Sequence, residues 1–241
     1  MDWKQPSAIN DTLELAPGFA SGGNRSCHVH PFDPGLCVKV ALPGRTPECK
    51  RARAFWLKRL RPLRSFDENL KEEQALALIG RLTSPRERHR FPAWHGHVST
   101  NLGPGGVTTL YRDADGSISR TLEWHIWEEG LSERVERVLC EFERFWMRET
   151  PPSRALLLHN ILLVQAAGQD DFLALVDGFG YASFFQPGRL LRWLAGKKAR
   201  RQVRALRKRI AILMAFRDRG EGAEKEVRFL RKRLGPGPKP L

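Results

Sequence analysis

A chain of 241 residues with 41% apolar side chains can build one large domain or two small lobes around a real core, and it needs no disulfide framework. The four cysteines, Cys27, Cys37, Cys49 and Cys140, form no C-x-x-C pair and have no histidine at ligand spacing, and no stretch approaches the ~18 apolar residues of a membrane span; the composition argues against zinc and for a soluble, cytoplasmic protein with no transmembrane segment. Of the 41 basic and 27 acidic residues, 18 and 4 lie from Arg189 onward, so residues 1–188 hold 23 of each and the final quarter carries the whole net charge of +14.

Thr12–Ala16 reads as a short strand, followed by the glycine-rich stretch Pro17–Asn24 and a second strand, Arg25–His30. Gly22 and Gly23 would let backbone N–H groups approach an anion closely, although the same composition also makes an ordinary hairpin turn. Asp33-Pro34-Gly35 is a further turn signal, and Leu36–Leu42 is an alternating strand interrupted by Lys39, which shares a face with Cys37 and Ala41. A buried lysine and an exposed edge lysine fit that pattern equally. Pro47–Arg64 is basic and helix-like, with Phe55, Trp56, Leu57 and Leu60 as its apolar side. Asp67 or Asn69 can cap a helix running to Leu82, with Leu76, Ile79 and Leu82 at helical spacing. Glu72 and Glu73 sit about 100° apart on that helix, so only one can address a fixed neighbour.

Phe91–Val98 reads as a loop entering a strand, Gly103–Gly106 as a turn, and Val107–Tyr111 as a strand that leads into the polar connector Arg112–Gly116. There the pattern changes from strands to helices: Leu122–Trp127 begins the helical half, and Leu131–Arg148 carries Val135, Val138, Leu139, Phe142, Phe145 and Trp146 on one side. His95, His97 and His125 find no third ligand at workable spacing and read as structural. Ile161–Val164 and Phe172–Val176 form a hairpin, with His159-Asn160 before the first strand and Asp177–Gly180 after the second. Asn160 and Asp177 thereby reach the same end of one hairpin as two hard oxygen ligands suited to Mg²⁺, the alternative being a plain core hairpin with capped turns. Arg189–Phe216 reads as a basic helix or helix pair broken near Gly196, with Val203, Leu206, Ile210 and Leu213 as its apolar stripe. Gly220–Gly222, a further helical run to Leu234 and a disordered GPGPKPL end follow. Such a segment suits an acidic partner, whether nucleic acid, anionic lipid or an acidic protein face, or a helix docked on its own domain with a solvated basic back.

A glycine turn, a strand lysine, a helix glutamate, a connector, a helix, then Asn and Asp on a hairpin occur in the order that kinase-type nucleotide binding requires. SGGNRSCHVHP followed by CVKV, YRDADGSIS with TLEW after it, LLLHNIL and VDGFG resemble the YrbL family, the PhoP regulatory network proteins of bacteria. That resemblance implies an α+β, compact bilobal protein-kinase-like fold: a small β-rich N-lobe over residues 1–110, a hinge at 111–116, a helical C-lobe over 117–220 and a basic tail over 221–241. It implies Lys39 as the phosphate-binding lysine, Glu72 as its brace with Glu73 the alternative, and Asn160 and Asp177 as metal ligands. Gly22 and Gly23 would cover the phosphates, Cys37 would face the adenine, and Leu110 and Tyr111 would lie at the hinge. ATP and Mg²⁺ are the implied cofactors, with a protein or small molecule as acceptor.

The pattern also departs from a kinase. Five residues before Asn160, where a kinase carries its catalytic Asp, stands Ala155, and Leu157 replaces the lysine three residues before Asn160. His159 points away from Asn160 on an extended segment and is no candidate base. Four readings follow: an atypical phosphotransferase, a pseudokinase or regulatory binding module, an AMP transferase similar to the kinase-like selenoprotein O family, and a nucleic-acid or membrane binder acting through its basic tail.

Overall fold

Apolar and β-branched residues alternating with polar ones drive the first part of the chain into an antiparallel sheet. The computed structural model, which describes residues 12–166, 168, 170–180 and 190–219, has β1 (Ala20–Ser21), β2 (Arg25–His30), β3 (Asp33–Ala41), β4 (Trp94–Thr100) and β5 (Gly103–Thr109) in the order β1-β2-β3-β5-β4. On one face of β3, Leu36, Val38 and Val40 join Val107 in a buried cluster, with Leu15 and Val98 packed against it. Cys37 and Lys39 are buried as well, on the opposite face. An edge lysine is therefore ruled out, since β3 lies between β2 and β5.

Several expected elements shift. Thr12–Ala16 forms no strand: Leu13 alone makes a parallel bridge to Thr100, while the Leu15 N–H turns to the Asn101 side-chain oxygen at 3.1 Å. The turn after β2 falls at Pro31-Phe32, and Asp33 already pairs with His30, its carboxylate accepting from the Gly35 N–H at 2.8 Å. Gly103–Gly106 is likewise strand and not turn, the turn being Asn101-Leu102. Packing explains glycine there: a Cβ on Gly105 would lie 2.8 Å from Val38 Cγ1, and one on Gly106 would lie 2.5 Å from the Trp94 ring.

The basic run after β3 becomes α1 (Pro47–Arg53), α2 (Trp56–Arg59) and a 3₁₀ turn, Leu63–Phe66. Neither α1 nor α2 buries a residue, so Phe55, Trp56, Leu57 and Leu60 face outward instead of packing as an apolar side. Asp67 supplies the start of α3 (Glu68–Leu82), accepting from the Asn69 and Leu70 N–H groups at 2.8 and 3.3 Å. Leu76 and Ile79 are buried as expected, whereas Leu82 is exposed.

The chain divides into two compact units. Among the described residues, one comprises those up to Gln74 with Ala93–Leu110, and the other takes Ala75–Pro92 with those from Tyr111 to 219. In the second unit, α4 (Leu122–Glu129) and α5 (Glu133–Glu149) are capped by the hydroxyls of Thr121 and Ser132. All six residues expected on the apolar side of α5 are buried, and Phe142, Phe145 and Trp146 pack with Phe91 and Phe179. The hairpin β6 (Ile161–Val164) and β7 (Phe172–Leu175) covers Tyr111 through Leu162, Val164 and Ala174. The helix α6 (Leu190–Asp218) runs unbroken through Gly196 and buries Leu206, Ile210 and Leu213 along with Ala199 and Gln202, while Val203 is only half-buried. The expected basic tail, 221–241, lies outside the described residues. Among those described, no helix is long and apolar enough to cross a membrane.

Gly106→Ala should lower stability by about 1–3 kcal/mol, because Trp94 must move out of the way. Gly23→Ala, whose Cβ meets nothing within 4 Å, should stay within about 0.5 kcal/mol of the parent. Paired thermal melts check both values.

Candidate functional site

In the first unit the side chains that matter come from β2, β3 and α3. Parity on β3 turns Lys39 away from the Val38–Val40 cluster, and helical geometry turns Glu72 toward it. Lys39 Nζ donates to Glu72 Oε1 at 2.5 Å, and the second oxygen, Oε2, accepts from Arg25 Nη1. Glu73, about 100° round the helix, pairs at the surface with His97 at 3.1 Å. The choice between the two glutamates thus falls to Glu72. Asn69 completes the cluster: its Oδ1 accepts from Arg25 Nη1 at 2.9 Å, and its Nδ2 donates to the Lys39 carbonyl at 3.3 Å. Burial is the largest single influence on Lys39 and lowers its pKa, but the Glu72 carboxylate together with Cys27 and Cys37 carries the net shift upward, so the ammonium stays charged.

Two cations and a carboxylate taken from water together stabilise little in net terms, because desolvation offsets most of their attraction. Such a cluster is better explained by what it holds in place than by the stability it adds.

Cys37 lies beside Lys39 on the same strand face, and the strand register brings Cys27 opposite Lys39. The Cys27 and Cys37 side chains thereby neighbour each other, so cysteines that look scattered in sequence meet across two strands. Interaction with the Cys37 thiol lowers the Cys27 pKa to about 7, with burial opposing it and the charges of Lys39 and Arg25 assisting. The same interaction and burial push Cys37 upward.

Gly22 and Gly23 lie in the exposed turn between β1 and β2, closed by the Gly22 N–H on the Arg25 carbonyl at 2.9 Å. Added Cβ atoms there would meet nothing closer than 3.8 Å, so the fold itself does not demand glycine at either position. Leu110 is buried, and its N–H bonds the Gly35 carbonyl at 2.7 Å.

The remaining candidates belong to the second unit. Tyr111 is buried and donates its hydroxyl to the His89 carbonyl at 2.8 Å; burial raises its pKa. Pairing of Ile161 with Leu175 sets Asn160 level with Val176, whose N–H bonds the Asn160 carbonyl at 2.9 Å. Asn160 and Asp177 are therefore brought to the same hairpin end. Asp177 is exposed, and its Oδ1 accepts from the Gly178 N–H at 2.7 Å. Gly178 has φ +84°, a conformation that favours glycine, and its Cα lies where a Cβ would be 3.4 Å from both the Asn160 amide nitrogen and the Ala155 carbonyl, so these segments meet there. Ala155 thus sits beside the Asn160–Asp177 end, with Ser153 Oγ bonded to the carbonyls of Ala155 and Gly178. His159 Nδ1 is 3.9 Å from the buried carboxylate of Glu123.

One amide and one carboxylate oxygen suit Mg²⁺, which fills its octahedron with waters and phosphate oxygens and needs few protein ligands. Among the described residues, no group of three or more His, Cys, Asp and Glu side chains gathers in the manner of an all-protein metal site.

Sequence reasoning missed Arg25, Asn69 and Cys27. Arg25 and Cys27 carry a usable signal, since they flank Ser26 on the strand that follows the glycine turn and so share a face. Asn69 reads only as a cap and carries none. The model of a family described as PhoP regulatory network protein YrbL matches residues 12–211. Two curated relatives, from Escherichia coli (strain K12) and Shigella flexneri, both named "Uncharacterized protein YrbL", are each 22% identical over 190 residues, covering 76% of this chain and 80% of the relative.

Alkylation of Cys27 should show a rate midpoint near pH 7, against an ordinary thiol value of 9.0. Removing the Cys37 thiol with Cys37→Ala should move that midpoint up, because the neighbouring thiol is the main cause of the shift. Iodoacetamide labelling followed by peptide mass spectrometry across pH reads the difference.

Proposed function

This chain belongs to the PhoP regulatory network protein YrbL family, and we propose that it binds ATP with Mg²⁺ in the protein-kinase manner and acts as an atypical phosphotransferase. The observation that carries the reading is the buried Lys39–Glu72 pair at 2.5 Å, a strand lysine braced by a helix glutamate. In this reading Lys39 takes phosphate oxygens. Arg25 and Asn69 hold Glu72 and the strand backbone in position, Cys37 lines the base, and Leu110 and Tyr111 edge the nucleotide. The turn at Gly22 and Gly23 covers the phosphates, the lack of side chains letting its backbone approach closely, which accounts for glycine where packing does not require it.

Asn160 and Asp177 are the residues that would hold Mg²⁺, which neutralises charge building on the transferred phosphoryl group. The chain's own contribution is positioning and electrostatic stabilisation, and these supply most of the catalysis in phosphoryl transfer. Ala155 offers no proton acceptor, so the acceptor hydroxyl must lose its proton without a carboxylate at that position. A slow enzyme follows from that arrangement.

Ala155 and Leu157 favour a second reading, a regulatory module that uses the nucleotide as a structural ligand. The family's description as a regulatory network protein suits it.

Isothermal titration of the full chain with ATP and MgCl₂ should show saturable binding, and nucleotide at about 100 times Kd should add about 2.7 kcal/mol of stability. Lys39→Met should abolish binding while costing on the order of 2 kcal/mol in stability, since Arg25 still partners Glu72. Asp177→Ala should remove the Mg²⁺ dependence. No binding by the folded parent chain would overturn the nucleotide reading. Binding without phosphoryl or adenylyl adducts in intact-protein mass spectra would select the regulatory one.

A further inference from the structure

The segment Arg45–Arg64 has no part in the ion cluster of Lys39 and Glu72, yet it is the most unusual surface of the first unit. Within its twenty residues stand eight Lys and Arg against the single acidic residue Glu48. It folds into α1 and α2, helices of seven and four residues. Helices this short are marginal in water and normally depend on burying an apolar face. Here the apolar residues lie on the outside: Phe55 is 64% exposed, Trp56 62%, Leu57 53% and Leu60 78%. The Phe55 and Trp56 rings pack against each other, with centroids 5.9 Å apart, and leave their outer surfaces open.

The segment is nonetheless ordered by its own arginines. Arg59 Nε donates to the Ala54 carbonyl at 2.8 Å and Arg51 Nε to the Arg59 carbonyl at 3.1 Å, so each guanidinium satisfies a carbonyl near the end of a short helix. Lys50 ties α1 to Glu68 of α3 at 3.1 Å. Order achieved without burying the large side chains leaves these apolar residues exposed within a strongly cationic segment.

We infer that Arg45–Arg64 docks on anionic phospholipid bilayers. Phe55, Trp56, Leu57 and Leu60 enter the boundary between headgroups and acyl chains, and the surrounding Lys and Arg contact lipid phosphates. Charge complementarity selects an anionic surface. Side-chain chemistry selects lipid over nucleic acid: Trp and Phe can stack on bases, but Leu57 and Leu60 have no π face and gain only from an apolar medium. Exposed Trp beside Leu, with basic side chains able to extend toward phosphates, is the pattern that settles at a membrane interface without spanning it.

The test uses the full chain and cosedimentation with vesicles of phosphatidylcholine, alone or mixed with phosphatidylglycerol. The parent should pellet with the mixed vesicles and not with pure phosphatidylcholine, with a blue shift of tryptophan emission that shrinks in Trp56→Phe. Phe55→Ser/Trp56→Ser/Leu60→Ser should weaken partitioning by roughly tenfold or more, and Arg61→Glu/Arg64→Glu should also weaken it. Both variants should melt at the parent temperature, since these side chains are exposed. Three results would overturn the inference: no binding to the mixed vesicles, full binding by the triple variant (which would assign the affinity to the basic C-terminal segment), or a stronger loss of single-stranded RNA binding than of vesicle binding in that variant.

Discussion

Burying Lys39 constrains the first unit more than any other single feature. A lysine on a sheet face that a helix covers cannot reach water, so a carboxylate must be delivered to it. Only a helix passing over that sheet face at one rotation does so. The requirement sets the register of α3, placing Glu72 and Asn69 inward and Glu73 outward toward His97. It also bears on β5, where Gly106 pairs with Lys39 and leaves space for Asn69 and Trp94. Arg25 balances the second carboxylate oxygen, so β2, β3 and α3 are linked by one ion cluster in addition to their apolar contacts.

The second unit is organised by hydrophobic packing, with polar groups acting as pins. The apolar side of α5 supplies the core, and the Trp146 indole N–H donates to Gln202 of α6, which in turn donates to the Ser153 carbonyl. Arg207 forks onto Glu143 and Glu136, and these partners raise its pKa. Part of the basic charge of α6 is thereby used in docking the helix on its own unit. The net charge of +14 is accordingly a sum of several roles, and its size alone does not identify a partner.

Residues whose environment is local are legible in the amino-acid sequence. Periodicity locates α5 and names all six of its buried apolar residues, because an amphipathic stripe of that length has few other uses. The β6–β7 hairpin, with Asn160 and Asp177 at one end, follows from strand length and parity. Glycine and proline mislead where packing outweighs local preference. Gly103–Gly106 looks like a turn by composition, but its glycines serve close approach inside a sheet. The apolar residues near Phe55 mislead for a different reason: hydrophobicity in a helical pattern predicts burial, and nothing local reveals that the segment faces outward.

The sequence by itself determined residue order and parity: which residues share a face of a strand or helix, where α5 and the β6–β7 hairpin lie, and that Ala155 stands five residues before Asn160. These are short-range properties, set by repeats of about 2 and 3.6 residues. Tertiary structure decided whether Lys39 is buried or exposed, which of two adjacent glutamates meets it, and that Cys27, Cys37, Arg25 and Asn69 lie together. Those outcomes depend on strand order, register and the rotation of a helix about its axis. Contacts far apart in the chain set all three, and no window of neighbouring residues contains them.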